Sequence, residues 1–211
     1  MTAYADDASY FMKDKISAEH LLHKIELFSK TSGLQVNKSK SECLLLSFEM
    51  DVSGYDEHFL GIPTVENLKI LGHYHGKGEL VCNYQNFYSK LEKMSKILNI
   101  WRQRNLTLIG KNLLINSLST SLFIFNAQID IPPVDFIKLV ESLHKNFLWS
   151  GGKPKIAHHT IIANYKDGGL NYKDLNTFIL AINVKFIQYL STNSQSGHLT
   201  LPNHWLKKML K

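Results

Sequence analysis

Apolar residues recur along this chain at two spacings. Ala18, Leu21, Leu22, Ile25 and Phe28 fall three and four apart, which puts them on one face of a helix. Ser17 is its candidate N-cap and Thr31-Ser32-Gly33 its stop. Ahead of it, Tyr4-Ala5-Asp6-Asp7 reads as a turn and Ala8 to Met12 as extended chain, so the first thirty residues predict strand, turn, strand and helix. The unbroken apolar run Cys43-Leu44-Leu45-Leu46 predicts a strand buried on both faces. Asn67 to Tyr74 reads as a short strand in which Gly72 marks a tight bend. From Tyr84 the pattern turns helical, with Phe87, Leu91, Met94, Leu98 and Trp101 on one stripe. A second helical stretch runs from Leu108 to Ala127 and stops before Asp130-Ile131-Pro132-Pro133, where paired prolines cannot continue it. A third covers Val134 to Trp149, with Phe136, Leu139, Val140, Leu143 and Phe147 inward, and breaks at Ser150-Gly151-Gly152-Lys153-Pro154. Ile156 to Ala163 fits neither period, Asp167-Gly168-Gly169 is a turn, and Leu175 to Leu190 is a fourth helix. The chain has no internal repeat. The expected fold class is α+β: a small mixed unit over residues 1–80, then a mostly helical part.

Composition narrows the class. The 211 residues are 44% hydrophobic and 20% charged, enough to bury a core and too apolar for a disordered tail. The charge-free stretch from Asn112 to Ile129 carries Asn, Ser, Thr and Gln among its apolar residues, and so predicts a buried helix rather than a membrane span. Asp6 and Asp7 stand where a signal peptide needs an apolar run, which gives the expectation of an intracellular protein, nuclear or cytoplasmic alike. Cys43 and Cys82 lack CxxC spacing and read as ordinary thiols. His73, His75, His158 and His159 have no HExxH-like spacing and argue against a histidine metal site.

Charge matters through its distribution. Lys and Arg number 24 against 18 Asp and Glu, a net +6. Tyr84 to Lys111 alone holds Lys90, Lys93, Lys96, Arg102, Arg104 and Lys111 against Glu92. Such a helix is packed on one side and cationic on much of the rest. Two readings stay open: a solvated helix face, and a surface for phosphate backbones, whose binding weakens with salt as counterions are released.

Adjacent aspartates at a turn between strands can hold Mg²⁺ through hard carboxylate oxygens, the anionic ledge that two-metal phosphoryl transfer needs. Alone, Asp6-Asp7 is also an ordinary solvated turn. In order along the chain, however, stand Tyr4-Ala5-Asp6-Asp7, then Ser32-Gly33-Leu34-Gln35-Val36-Asn37-Lys38-Ser39-Lys40-Ser41-Glu42, then Leu68-Lys69-Ile70-Leu71-Gly72. This succession resembles motifs C, D and E of the reverse transcriptase palm in non-LTR, LINE-type retrotransposons. The resemblance continues through Trp101, Leu108-Ile109-Gly110-Lys111, Phe125-Asn126-Ala127, Phe147-Leu148-Trp149 and Lys166-Asp167-Gly168-Gly169-Leu170, which look like the thumb and the segment after it.

The resemblance implies specific roles. Asp6 and Asp7 match the catalytic aspartate pair, with Asp6 the direct Mg²⁺ ligand. Lys40 matches the motif D lysine near the incoming nucleotide, a candidate proton donor to pyrophosphate. Leu71 and Gly72 match the turn that supports the primer end, and the cations of the basic helix would contact phosphates rather than bases. Trp101 and Trp149 lie on apolar stripes and are expected in the core. Residues 1–80 would be the C-terminal part of a palm with an incomplete antiparallel sheet, 81–150 a thumb-like helical domain, and 151–211 a post-thumb segment. The implied partners are an RNA template with a DNA primer, or an RNA–DNA hybrid. The family places a further palm aspartate, the fingers and the strand leading into the Asp-Asp turn upstream, where this chain has three residues before Tyr4. The expectation is a truncated fragment, inactive by itself, of an RNA-directed DNA polymerase. The alternatives are a sequence-independent nucleic-acid-binding remnant and a helical interaction module.

Overall fold

A computed structural model describes residues 2–4, 7–46 and 58–192. The chain is mixed α and β, with helices predominating over small sheets, and divides into two compact units. Unit 1 comprises Met1–Ile70 and His75–Gly78, and unit 2 comprises Leu71–Tyr74 and Glu79–Lys211.

In unit 1, β1 (Thr2–Tyr4) pairs antiparallel with β2 (Asp7–Ser9), Tyr4 standing opposite Asp7. Helix α1 (Lys15–Ser32) starts one turn earlier than its apolar stripe suggests: Asp14, not Ser17, is the N-cap, its carboxylate accepting the Ser17 N–H at 2.7 Å. Gly33, at φ +75°, closes the helix with its N–H on Ser29 O. None of the α1 residues is fully buried: along the stripe Ala18, Leu21, Leu22 and Ile25 are partly covered and Phe28 is exposed.

The run at Cys43 yields only a two-residue strand, β3 (Cys43–Leu44), half-buried at the edge of a sheet ordered β3-β5-β4. An edge position explains why the expected burial on both faces is absent. β3 runs parallel to β5 (Ile62–Val65), and β4 (His58–Phe59) antiparallel to it. Asn67 to Tyr74 is not one strand but a ribbon, β6 (Asn67–Ile70) and β7 (His73–Gly76), joined by Leu71-Gly72. Both hairpins turn on Leu-Gly, with φ +53° and +78° at Leu60-Gly61 and +48° and +88° at Leu71-Gly72. Positive φ at both central residues matches the twist of the flanking strands and suits glycine, whereas leucine adopts it under strain.

In unit 2 the helical run begins at Glu79 rather than Tyr84. It passes from α2 (Glu79–Asn83) through a wide π turn, Tyr84–Tyr88, into α3 (Ser89–Arg102). Thr107 caps α4 (Leu108–Leu114), which continues through a second π turn, Ile115–Ser119, into α5 (Ser121–Ala127), bent by 46°. Pro132 and Pro133 precede α6 (Val134–Leu148). Then follow α7 (His158–Ile162), within the stretch whose period was ambiguous, and α8 (Leu175–Thr192), whose first turn donates to Asp174 from Thr177 N and Oγ1.

Two apolar clusters hold these helices. Phe87, Met94, Phe123, Phe136, Val140 and Leu175 belong to the first, where Phe136 meets Phe87 and Phe123 with ring centroids 5.4 Å apart in tilted and edge-on geometry. Leu98, Ile115, Phe147, Leu148, Ile161 and Tyr172 form the second, with Trp101 and Trp149 packed against it. The predicted α3 stripe thus faces inward. On α6, Leu139 is half-exposed, because Ile137, His144 and Leu148 centre the buried face slightly further round the helix. Among the described residues no single helix is long and apolar enough to cross a membrane; α4 and α5 approach that composition only as a bent pair.

Candidate functional site

Asp7 opens β2 and is exposed, and Asp6 lies outside the described residues. Among the described residues no three His, Cys, Asp or Glu side chains gather into a metal-binding group. At this turn Asp7 is the carboxylate among the described residues. Lys40 closes a 3₁₀ turn, Lys38–Lys40, whose cap Asn37 takes the Lys40 N–H. Its ammonium is exposed, and no hydrogen bond or ion pair joins it to Asp7 among the described residues.

Leu71 and Gly72 sit at the tip of the β6–β7 ribbon, with Leu71 exposed. The residues just after the tip are held by a buried polar cluster in unit 2. The wide turn Tyr84–Tyr88 rotates both Asn86 and Phe87 inward. The Asn86 carboxamide then pairs with Tyr74 as a strand would, accepting its N–H at 2.8 Å and donating to its carbonyl at 2.9 Å. His73, entirely buried, lies 2.9 Å from Asp130 Oδ2 through Nε2 and 3.0 Å from Asn126 Nδ2 through Nδ1. Lys90 Nζ donates to Asn126 Oδ1. Burial, and secondarily the Lys93 charge, hold the Lys90 amine below the usual lysine range. Sequence reading missed this cluster: its members are up to 57 residues apart. The available signal was Asn86 beside Phe87 and Asn126 beside Ala127, amides on apolar helical faces.

The six cations of the basic segment have different fates. Arg102 donates to Asn146 O and Oδ1 on α6, and Lys111 donates to Leu148 O and to Ser150 Oγ at 2.6 Å, so both tie down the end of α6. Arg104 lies over the Trp101 ring at 4.8 Å. Lys96 pairs with Glu92 at 2.6 Å on the open surface, a contact of small net worth. Lys93 is exposed beside it. The segment is therefore not one uniform cationic face: Lys93, Lys96 and Arg104 are exposed, while Lys90, Lys111 and the still exposed Arg102 are tied to other elements by hydrogen bonds.

A second buried set, Ser119, His144 and Tyr172, joins α4–α5 to α6 and the chain before α8. Ser119 Oγ is 2.8 Å from His144 Nε2, and the Tyr172 hydroxyl 3.4 Å from Nδ1. Burial pushes His144 down to about 4 and, aided by Glu141 and Asp174, pushes the Tyr172 hydroxyl upward. Ser119 and His144 are fully enclosed, so this serine–histidine contact is structural rather than a nucleophile open to substrate. The groove lined by Ser95, Leu98, Asn99, Arg102, Leu143, Asn146 and Phe147 holds about 20 Å³, below what a small-molecule site needs. Burial raises both thiols, Cys43 and Cys82, above their ordinary range, which suits unreactive side chains. A search against known protein families finds no match for this chain.

Proposed function

We propose that this chain carries the duplex-facing end of a reverse transcriptase of the non-LTR retrotransposon type and, by itself, binds RNA–DNA hybrid without extending it. The observation that carries the reading is the Leu71-Gly72 turn, exposed and strained, fixed within unit 2 by buried contacts just behind it. Strain maintained at an exposed tip fits a contact point better than an idle loop. Lys93, Lys96 and Arg104 supply phosphate contacts on α3 and just beyond it. By the resemblance, Asp6, Asp7 and Lys40 are the catalytic positions of an intact polymerase of this type, Asp6 and Asp7 its Mg²⁺ ligands.

The test is titration of a labelled RNA–DNA hybrid at several salt concentrations, with and without Mg²⁺ and nucleotides. Two or three surface cations predict a slope of about −2 to −3 in log affinity against log salt, rather than the roughly −5 that all six would give. Lys93→Gln with Lys96→Gln should flatten that slope. Primer extension by the purified chain would overturn the inactivity. A second reading has its own support: Arg102 and Lys111 work as helix caps, as expected of a helical interaction module whose charges serve its fold. Absence of hybrid binding at low salt selects that module.

A further inference from the structure

The orientation of each amide in the buried cluster follows from its neighbours. Lys90 can only donate, so Asn126 turns Oδ1 toward it and Nδ2 toward His73 Nδ1. The bare lone pair must then be on Nδ1 and the ring proton on Nε2, where it points at Asp130 Oδ2. Asn86 Nδ2 also lies 3.1 Å from Nε2, but its orientation is fixed by Tyr74, so it meets a protonated nitrogen and gains a hydrogen bond only in the opposite tautomer. Asp130, whose carboxylate only accepts, and Asn126, whose Nδ2 only donates, therefore call for the same Nε2–H ring, one from each side. The residue before His73 is Gly72 at φ +88°, preceded by Leu71 in a conformation that leucine avoids.

We infer that Asn126, oriented by Lys90, is a positioning residue: it selects the Nε2–H tautomer of His73, ties the ring to Asp130 and, with the Asn86 grip on Tyr74, holds the Leu71-Gly72 turn in its strained form. The consequence for hybrid binding rests on the function proposed above; the holding of the turn does not.

Nitrogen-15 spectra of the full chain give the first test. His73 should appear as the Nε2–H tautomer, and an Nδ1–H ring overturns the inference without any variant. Lys90→Met removes the donor that orients Asn126, so its amide can turn Oδ1 toward Nδ1 of the ring. His73 should then flip to Nδ1–H, and amide exchange at residues 71–74 should quicken about tenfold, the scale of one lost hydrogen bond, while exchange in α3 and α6 stays unchanged. Asn86→Ala should free the Tyr74 amide by a similar factor. A flipped ring with unaltered exchange at 71–74 overturns the positioning role. Loss of hybrid affinity in step with the exchange supports both readings. A wild-type chain that ignores hybrid yet shows the tautomer and the exchange change supports the positioning role and removes the nucleic-acid reading alone.

Discussion

His144 carries a pH dependence that can be worked out by sign. Its folded value, about 4, lies below the ordinary 6.5 because burial disfavours the imidazolium. The unfolded chain binds the proton more readily, so this contribution is complete above pH 6.5 and is lost as pH falls toward 4, up to about 3 kcal/mol. Urea midpoints measured from pH 7 to pH 4.5 should decline, and His144→Gln should flatten the decline. Phe123→Ala, in the ring cluster on Phe136, should cost about 3–5 kcal/mol by the same measurement. Leu71→Gly should instead add up to about 1 kcal/mol by relieving the left-handed backbone, offset in part by the entropy of glycine in the unfolded chain. At this scale the sequence revealed apolar stripes and little of the polar interior. Phe87, Met94 and Leu98 announce their burial by spacing, whereas His73, Asn86, Asn126 and His144 are polar letters whose partners come from other elements.

Among the elements, the end of α6 is an informative place to intervene. Lys111 reaches its last carbonyls from α4 and Arg102 reaches Asn146 from α3, so three helices meet through two side chains. Lys111→Met and Arg102→Ala should each lower stability by about 1 kcal/mol, read as a shift in urea midpoint with unchanged slope, and neither should alter the salt slope of hybrid binding. Asp14→Ala should cost about 1 kcal/mol of α1, visible in helical circular dichroism on heating. Helix existence was legible from the 3.6 period and from Gly33, Pro132 and Pro133. The cap on α1 was misjudged because Ser17 abuts the stripe, while the capping geometry asks only that an acceptor stand three residues before a free N–H. The parallel β3–β5 pairing had no local signal, since hydrogen bonds across 21 residues leave no mark on either segment.

Across the whole molecule, burial is unevenly shared. Phe59 is the only buried residue in the described part of unit 1, whereas unit 2 contains both apolar clusters. Hydrogen exchange should therefore find α1 open far sooner than α3 and α6, and brief trypsin treatment should cut within residues 13–40 before it touches 87–179. The coarse order of a mixed part followed by a helical part could be read from pattern alone. The candidate site could not, because half the cations that looked like a phosphate surface are tied by hydrogen bonds to other elements, and that is decided by contacts distant along the chain. The two π turns have a consequence for how this chain tolerates change in length. Each is a helix holding one residue more than regular winding accepts, so deletion of Gln85 would let the backbone close into ordinary α turns with little loss of hydrogen bonding. The same deletion would offset everything before it by about 100° relative to everything after, the angle of one helical residue. The insertion thus works as a phase setting, and shortening the chain there would preserve a helix while misaligning what its two halves present.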